Sequence, residues 1–292
     1  MERQAFPAAV LYPAPTTPIG PDDRFDRSAF AEHLTWLEQT GVDGVVVCGT
    51  TGEFIALDDD ERIDAFRVAL DVFGPGRVIA HVGAATLRSA LALTDRAVRL
   101  GVRRVLAITP YYQPAGPGSV QDYYARIAER VDGDVFAYLF ASRSANVVTP
   151  GQLADIGRTA SLAGAKVSGE SGSTVLEFKA AFPDGQILCG NDAAIEQIVL
   201  GGADGGVSGV ASTFPEVFVA LRDALRTGDL AAAHAAQQKA CIAIDALPGG
   251  SPRLLKLGLD LRGLRGGKTR LAEDEPSPDQ VAMLRAAIAA TC

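Results

Sequence analysis

Short runs of apolar, mostly β-branched residues recur along the chain. Each is followed by a longer stretch in which apolar positions fall three or four residues apart. The first spacing suits a buried strand and the second the core-facing side of a helix. Strands are predicted at residues 8–11, 44–48, 78–82, 105–109, 135–140, 163–167, 187–189 and 206–208. Phe30, Leu34 and Leu37 mark a helix over 28–40, and Ile63, Phe66 and Leu70 one over 59–73. Further helices are expected over 87–100 and over 120–131, the latter carrying Tyr123, Tyr124 and Ile127. Gly41 and Gly101 close the first and third of these helices, as glycine commonly does. Thr149 before Pro150 reads as an N-cap with proline in the first helical position.

Strands alternating with helices at this spacing argue for a parallel sheet, and eight such units before about residue 227 argue for a closed (β/α)8 TIM barrel. An open doubly wound sheet is the alternative. It usually has fewer strands, and no GxGxxG follows the first one. Beyond the barrel comes an alanine-rich, helix-favouring stretch over 229–247, a break at Pro248-Gly249-Gly250-Ser251-Pro252, and helices near 254–262 and 279–290. The expected division is a catalytic barrel over 1–227 and a helical extension over 228–292 packed upon it.

Composition narrows the class. With 48 % apolar and 21 % charged residues over 292 positions, a sizeable core is expected. The formal net charge of −8 leaves no basic excess for nucleic acid or an anionic membrane. Cys48, Cys189, Cys241 and Cys292 are scattered without a CxxC pair, as expected of reduced, mostly buried thiols in a cytoplasmic protein. Met1-Glu2-Arg3-Gln4 runs into Pro7 and Pro13 without the apolar core of a signal peptide, and no run reaches transmembrane length.

In such a barrel the chemistry belongs at the C-terminal ends of the strands. Strand two ends in Gly49-Thr50-Thr51-Gly52-Glu53, where two glycines let the backbone approach a ligand and two threonines set hydroxyls beside exposed N–H groups. Such a loop can hold a small carboxylate without a charged side chain. Strand four ends in Thr109-Pro110-Tyr111-Tyr112, strand five carries Tyr138 and leads to Ser142-Arg143-Ser144, and strand seven ends in Gly190-Asn191-Asp192.

Lys166 lies within the apolar run Leu162-Ala163-Gly164-Ala165-Lys166-Val167, with Ser168 two residues on. A lysine there loses hydration, which lowers its pKa and leaves some neutral amine for carbonyl attack and Schiff-base formation. The same position also allows a lysine that snorkels to solvent. Tyr138 can shuttle protons beside such an amine, or simply fill the barrel with its hydroxyl on a backbone carbonyl. Arg143 can clamp a carboxylate or only solvate a surface, and Tyr111-Tyr112 can be a packed aromatic pair.

Metal chemistry has little support, since His33, His81 and His234 form no i, i+3 or i, i+4 pair. Asp22-Asp23, Asp58-Asp59-Asp60-Glu61 and Glu273-Asp274-Glu275 read as solvated loop or helix N-terminal charges. Gly201-Gly202-Ala203-Asp204-Gly205-Gly206 precedes a strand, so it reads as a helix-to-strand turn rather than a phosphate loop.

Taken in order, Thr17-Pro18, the Gly49 to Glu53 loop, Thr109-Pro110-Tyr111-Tyr112, Tyr138, Ser142-Arg143, Gly164-Ala165-Lys166, Gly190-Asn191-Asp192 and the tail pattern Lys256…Gly263…Arg270-Leu271 make a joint signature. On it the chain resembles the dihydrodipicolinate synthase / N-acetylneuraminate lyase family of class I aldolases over almost its whole length. The resemblance implies a TIM barrel with a C-terminal helical extension, assembled as a homo-oligomer, a dimer or a tetramer. It implies a lyase in which Lys166 forms a Schiff base with pyruvate or a related 2-oxo acid, without a cofactor or metal, before reaction with an aldehyde. Thr50 and Thr51 would hold the oxo-acid carboxylate through their amides, with Gly49, Ser168, Gly190 and Val207 also counted as substrate-binding. Tyr138 would relay protons with Thr50 and with Tyr112 of a neighbouring subunit. Arg143 matches the arginine that, in the synthase branch, serves the entrance and the aldehyde's carboxylate.

The chain departs from the family pattern in three places. It reads Tyr138-Leu139-Phe140-Ala141-Ser142-Arg143 where Tyr-Asn and Pro-Ser-Arg-Thr-Gly are frequent, Val167 where an acid usually follows the lysine, and Phe54 where synthases commonly place a small residue. Losing polar groups near a pocket weakens recognition of one aldehyde in favour of another. The site therefore reads as synthase-like, with a 2-keto-3-deoxy sugar-acid aldolase or dehydratase, or an inactive 2-oxo-acid-binding homologue, as alternatives.

Overall fold

The computed structural model describes residues 5, 6 and 8–291. The expectations placed on Met1-Glu2-Arg3-Gln4, Pro7 and Cys292 fall outside these residues. Eight strands pair in parallel, in the order β1-β8-β7-β6-β5-β4-β3-β2. They are β1 (Val10–Pro13), β2 (Val45–Val47), β3 (Val78–His81), β4 (Arg104–Ile108), β5 (Asp134–Leu139), β6 (Gly164–Val167), β7 (Gln186–Cys189) and β8 (Gly205–Ser208). Outside them lie α1 (Arg27–Gln39), α2 (Asp59–Phe73), α3 (Leu87–Leu100), α4 (Pro117–Ala128), a single turn α5 (Ala141–Ser144), α6 (Pro150–Ala160), α7 (Gly172–Ala181), α8 (Ile195–Leu200) and α9 (Pro215–Thr227). This is the expected (β/α)8 barrel. Its strands are buried almost throughout because helices cover their outer faces and side chains fill the interior.

The ring closes at β1 and β2 through one aspartate rather than a strand ladder. The Asp43 N–H donates to Leu11 O at 3.2 Å, and the Leu11 N–H donates to the Asp43 carboxylate at 2.8 Å. Arg222 and Arg226 of α9 hold that carboxylate at 3.2 and 2.9 Å, tying the last barrel helix to the seam.

Three local readings shift. The first strand begins at Val10 rather than residue 8, because the Ala9 N–H turns back to Phe6 O at 3.0 Å. Helix α4 starts at Pro117, three residues before the expected 120, since Gly116 and Pro117 supply an N-cap and first position with no orphaned donor. The loop after β5 contains α5, too short to show a period. The acidic runs are also more specific than solvated charge. Asp58 and Glu61 form a capping box on α2, and Glu61 grips Arg270 with two bonds of 2.6 and 2.7 Å, while Asp23 meets the same arginine at 3.2 Å.

Past the barrel run α10 (Leu230–Asp245), α11 (Pro252–Leu261) and α12 (Pro278–Thr291). Between the last two, the chain returns across the barrel mouth, where the Lys268 N–H donates to Ile19 O at 2.8 Å. The thiols of Cys48 and Cys189 are buried and unpaired, while Cys241 is half-buried. Burial pushes Cys48 up to about 12 against the nearby Arg62 charge, so it stays a neutral thiol. Among the described residues no helix is long and apolar enough to cross a membrane.

Candidate active site

Parallel register decides which polar side chains meet. Tyr138 on β5 is paired with Ile108 on one side and Lys166 of β6 on the other, so tyrosine and lysine stand side by side at the same height. Both are buried, Lys166 at 7 % exposure. The Lys166 ammonium lies 4.3 Å from the centre of the Tyr138 ring, and the Tyr138 hydroxyl lies 3.1 Å from Thr50 Oγ1. Among the described residues the Lys166 amine has no hydrogen-bond or ion-pair partner, only the tyrosine face. Buried cations are ordinarily paired, so this lysine is held for something other than packing.

Space for the amine is made by β7. A Cβ at Gly190 would fall 1.9 Å from Ser168 Oγ and 3.2 Å from Lys166 Cε, so any side chain there would displace both. Thr50 and Thr51 sit in the turn after β2, bracketed by Cys48 and Glu53 in the left-handed region at φ 55° each. Gly52 fits closely within that turn, since a Cβ there would sit 3.1 Å from both Pro15 O and Cys48 Cα. Neither the Thr50 nor the Thr51 amide donates to an acceptor among the described residues, which leaves adjacent N–H groups and the Thr51 hydroxyl available to an anion, while the Thr50 hydroxyl is shared with Tyr138.

These groups open into one cavity of about 790 Å³, of the size that holds small metabolites. Its lining includes Thr50, Thr51, Tyr138, Arg143, Lys166, Ser168, Gly190 and Val207. Two expected residues lie elsewhere. Gly49 is not on the wall, and its carbonyl instead accepts the Phe54 N–H at 3.4 Å. Tyr112 does not line the cavity of its own chain and is 83 % exposed with φ 76°. Phe54 and Val167 also lie outside the cavity, so neither reshapes it. Phe54 is buried edge-on against His81 and Tyr111, at 4.5 and 5.7 Å. Of the three departures, the loop after Tyr138 does reach the wall, through Phe140.

The structure places Asp192, already named at the end of strand seven, and adds wall residues that the chain's local pattern did not single out. The Asp192 carboxyl is pushed up to about 6 by burial, against the stabilising Ser208 hydroxyl, the Lys166 charge and the Val210 N–H. Its position after β7 was the available signal. Glu170, Asp245 and Glu273 share the wall, the last two from the tail. Glu53 is buried and faces outward from the loop. It takes the Thr269 hydroxyl at 2.6 Å, the Arg270 N–H at 2.9 Å and the Lys256 ammonium at 2.5 Å. His81 stays neutral because burial and the Arg62 charge hold its pKa well below the usual range, and its Nε2 accepts the Ile108 N–H at 3.2 Å. No group of three potential metal ligands occurs among the described residues.

The model of the dihydrodipicolinate synthetase family matches residues 8–288. The chain is 31 % identical to 4-hydroxy-tetrahydrodipicolinate synthase of Natronomonas pharaonis, over 78 % of each chain. It is 28 % identical to N-acetylneuraminate lyase of Rhizobium meliloti, over 96 % of this chain and 94 % of that one. Among solved structures, YagE of E. coli K12, a prophage protein of the dihydrodipicolinic acid synthase family crystallised with pyruvate, superposes with a TM-score of 0.90. It is 25 % identical and covers 97 % of this chain and 99 % of its own.

Proposed function

The chain belongs to the dihydrodipicolinate synthetase family, and from that premise we propose that it is a lyase forming a Schiff base between Lys166 and pyruvate or a closely related 2-oxo acid. The observation that carries this reading is the buried, unpartnered amine of Lys166 against Tyr138, at the floor of an open cavity. The amine adds its lone pair to the ketone carbon, and the former carbonyl oxygen leaves as water after gaining protons. The resulting iminium draws electrons from the neighbouring carbon, so loss of a proton there yields an enamine nucleophile. That carbon adds to an aldehyde, whose oxygen takes a proton, and hydrolysis of the iminium returns Lys166. Cleavage runs the same steps backwards.

Tyr138 and Thr50, 3.1 Å apart, form the proton relay at the ketone oxygen. The Thr50 and Thr51 amides and hydroxyls receive the oxo-acid carboxylate, and Ser168, Gly190 and Val207 shape the space around its carbon atoms. The exposed, left-handed Tyr112 fits a role in the site of a neighbouring subunit of a dimer or tetramer. The reaction needs no cofactor, and a cytoplasmic enzyme suits the free thiols. Named relatives carry both synthase and lyase labels, so the aldehyde is a separate question.

The test is borohydride reduction in the presence of pyruvate, followed by peptide mass spectrometry. A reduced pyruvyl adduct on Lys166 is expected. A folded protein that gives no adduct with pyruvate or with longer 2-oxo acids would remove the reading.

A further inference from the structure

The walls above Lys166 are unevenly charged. Four carboxylates line them: Glu170 after β6, Asp192 after β7, Asp245 at the end of α10 and Glu273 on the returning tail. Among the described residues the cationic side chains on the same wall are Lys166 and Arg143. Among the described residues none of the four carboxylates makes an ion pair. Glu273 accepts a backbone N–H, from Arg253 at 2.9 Å, and one Asp192 oxygen is buried without any partner. Arg143 is exposed and rests on the Phe140 ring, 5.8 Å from its centre.

Imine formation changes this balance in a definite direction. A bound 2-oxo acid brings one carboxylate, and the enamine that meets the aldehyde has lost the positive charge of the iminium, so the adduct carries one net negative charge. Lys166 then no longer offsets the wall. An incoming aldehyde meets one exposed arginine, screened by solvent and salt, against four carboxylates of which at least one is deeply placed. Ionised carboxylates only accept hydrogen bonds, so they are complementary to hydroxyl donors and repel a second anion.

We infer that the acceptor aldehyde is an uncharged, hydroxylated molecule whose hydroxyls donate to this acidic wall, and that a phosphorylated acceptor is refused. The inference rests on the Schiff-base reading and deepens it by assigning the class of the second substrate. Asp245 is exposed and Glu170 half-buried, and these two carboxylates discriminate at entry.

A matched pair of probes tests this. Full-length protein is incubated with pyruvate and either D-glyceraldehyde or D-glyceraldehyde 3-phosphate, which differ only in the phosphate. Condensation is followed by mass spectrometry, with borohydride trapping run in parallel. A kcat/KM preference of at least about 30-fold for glyceraldehyde is expected, the scale that like-charge repulsion at short range supplies. In the E170Q/D245N double variant that preference is expected to shrink at least about 5-fold, through a gain for the phosphorylated probe. Equal or better use of the phosphate, no condensation with glyceraldehyde despite a trapped Lys166 adduct, or a preference unmoved in the double variant would each overturn the inference. Absence of the adduct is a different failure. It removes the Schiff-base premise and the inference with it.

Discussion

Two lysines are withdrawn from solvent in this barrel, and their surroundings are opposites. Lys256 of α11, 2 % exposed, meets the Glu53 carboxylate at 2.5 Å and also donates to the Lys268 carbonyl. Lys166 of β6, 7 % exposed, has only the face of Tyr138. Burial pulls the Lys256 pKa down, and Glu53 opposes that pull. The Lys256 pair belongs to a strap. Glu53 holds the amides of Arg270 and Leu271 and the Thr269 hydroxyl, so the tail that bears these residues is fastened to the loop that bears Thr50 and Thr51. A buried charge held by an opposite charge and a backbone carbonyl is a structural lock. One left without a partner at the foot of a cavity is what the proposed Schiff-base chemistry requires of Lys166.

The contrast is broken most directly by exchanging what each lysine can do. Lys166→Ala is expected to abolish the trapped adduct and to lower turnover by at least about 10³-fold, while Tm stays within a few degrees of the parent. A Lys166→Ala protein that kept its turnover would sink the assignment. Tyr138→Phe keeps the ring beneath the amine but loses the hydroxyl shared with Thr50, and turnover is expected to fall about 10²- to 10⁴-fold with slower but detectable trapping. Lys256→Met should do the reverse of Lys166→Ala. It leaves Glu53 buried without a counter-charge and is expected to cost about 3 kcal/mol in denaturant unfolding, with the adduct on Lys166 retained at low temperature. Adding Glu53→Gln should recover part of that loss, because the uncompensated charge is then gone. If Lys256→Met instead left stability intact and erased the adduct, the two lysines would have to exchange roles.

What local pattern revealed follows the same line. The barrel was legible because each β-branched run and each helical period is set by neighbours within about ten residues. Lys166, Tyr138 and Thr50 stood out because polar side chains at the ends of apolar strands violate the surrounding pattern. Register then brought them together, since Tyr138 pairs with Lys166 across adjacent strands. The lock was not legible. Glu53 read as one more loop residue because its partners, Lys256, Thr269 and Arg270, lie more than two hundred positions away. The acidic wall was hidden for the same reason, as Asp245 reaches the cavity from the end of α10 and Glu273 from the returning tail. Glu61 likewise reads locally as a helix-start charge alone, because Arg270 reaches it only from that tail.

A subtler expectation separates the two regions by pH. Asp192, which feels the Lys166 charge, has a folded pKa of about 6 against an ordinary 3.8, with burial as the main cause. A raised carboxyl pKa means that the folded protein binds its proton more tightly than the unfolded chain. Its contribution is therefore fullest at pH below the ordinary value and is lost as pH rises through the folded one. The two-unit gap sets an upper limit of about 3 kcal/mol, and partial exposure reduces this to about 1–2 kcal/mol. Wild-type protein alone would not show it cleanly, because buried His33 is pushed down to about 4 and slopes the other way over much of the same range. The difference between wild type and Asp192→Asn cancels the histidine. That variant should gain stability relative to wild type by about 1–2 kcal/mol between pH 4 and pH 7, measured by urea unfolding. A difference that stayed flat over that interval would mean that Asp192 is as well solvated in the fold as in the unfolded chain. The wall above Lys166 would then be an ordinary wet surface rather than the counterpart of the dry lock around Lys256.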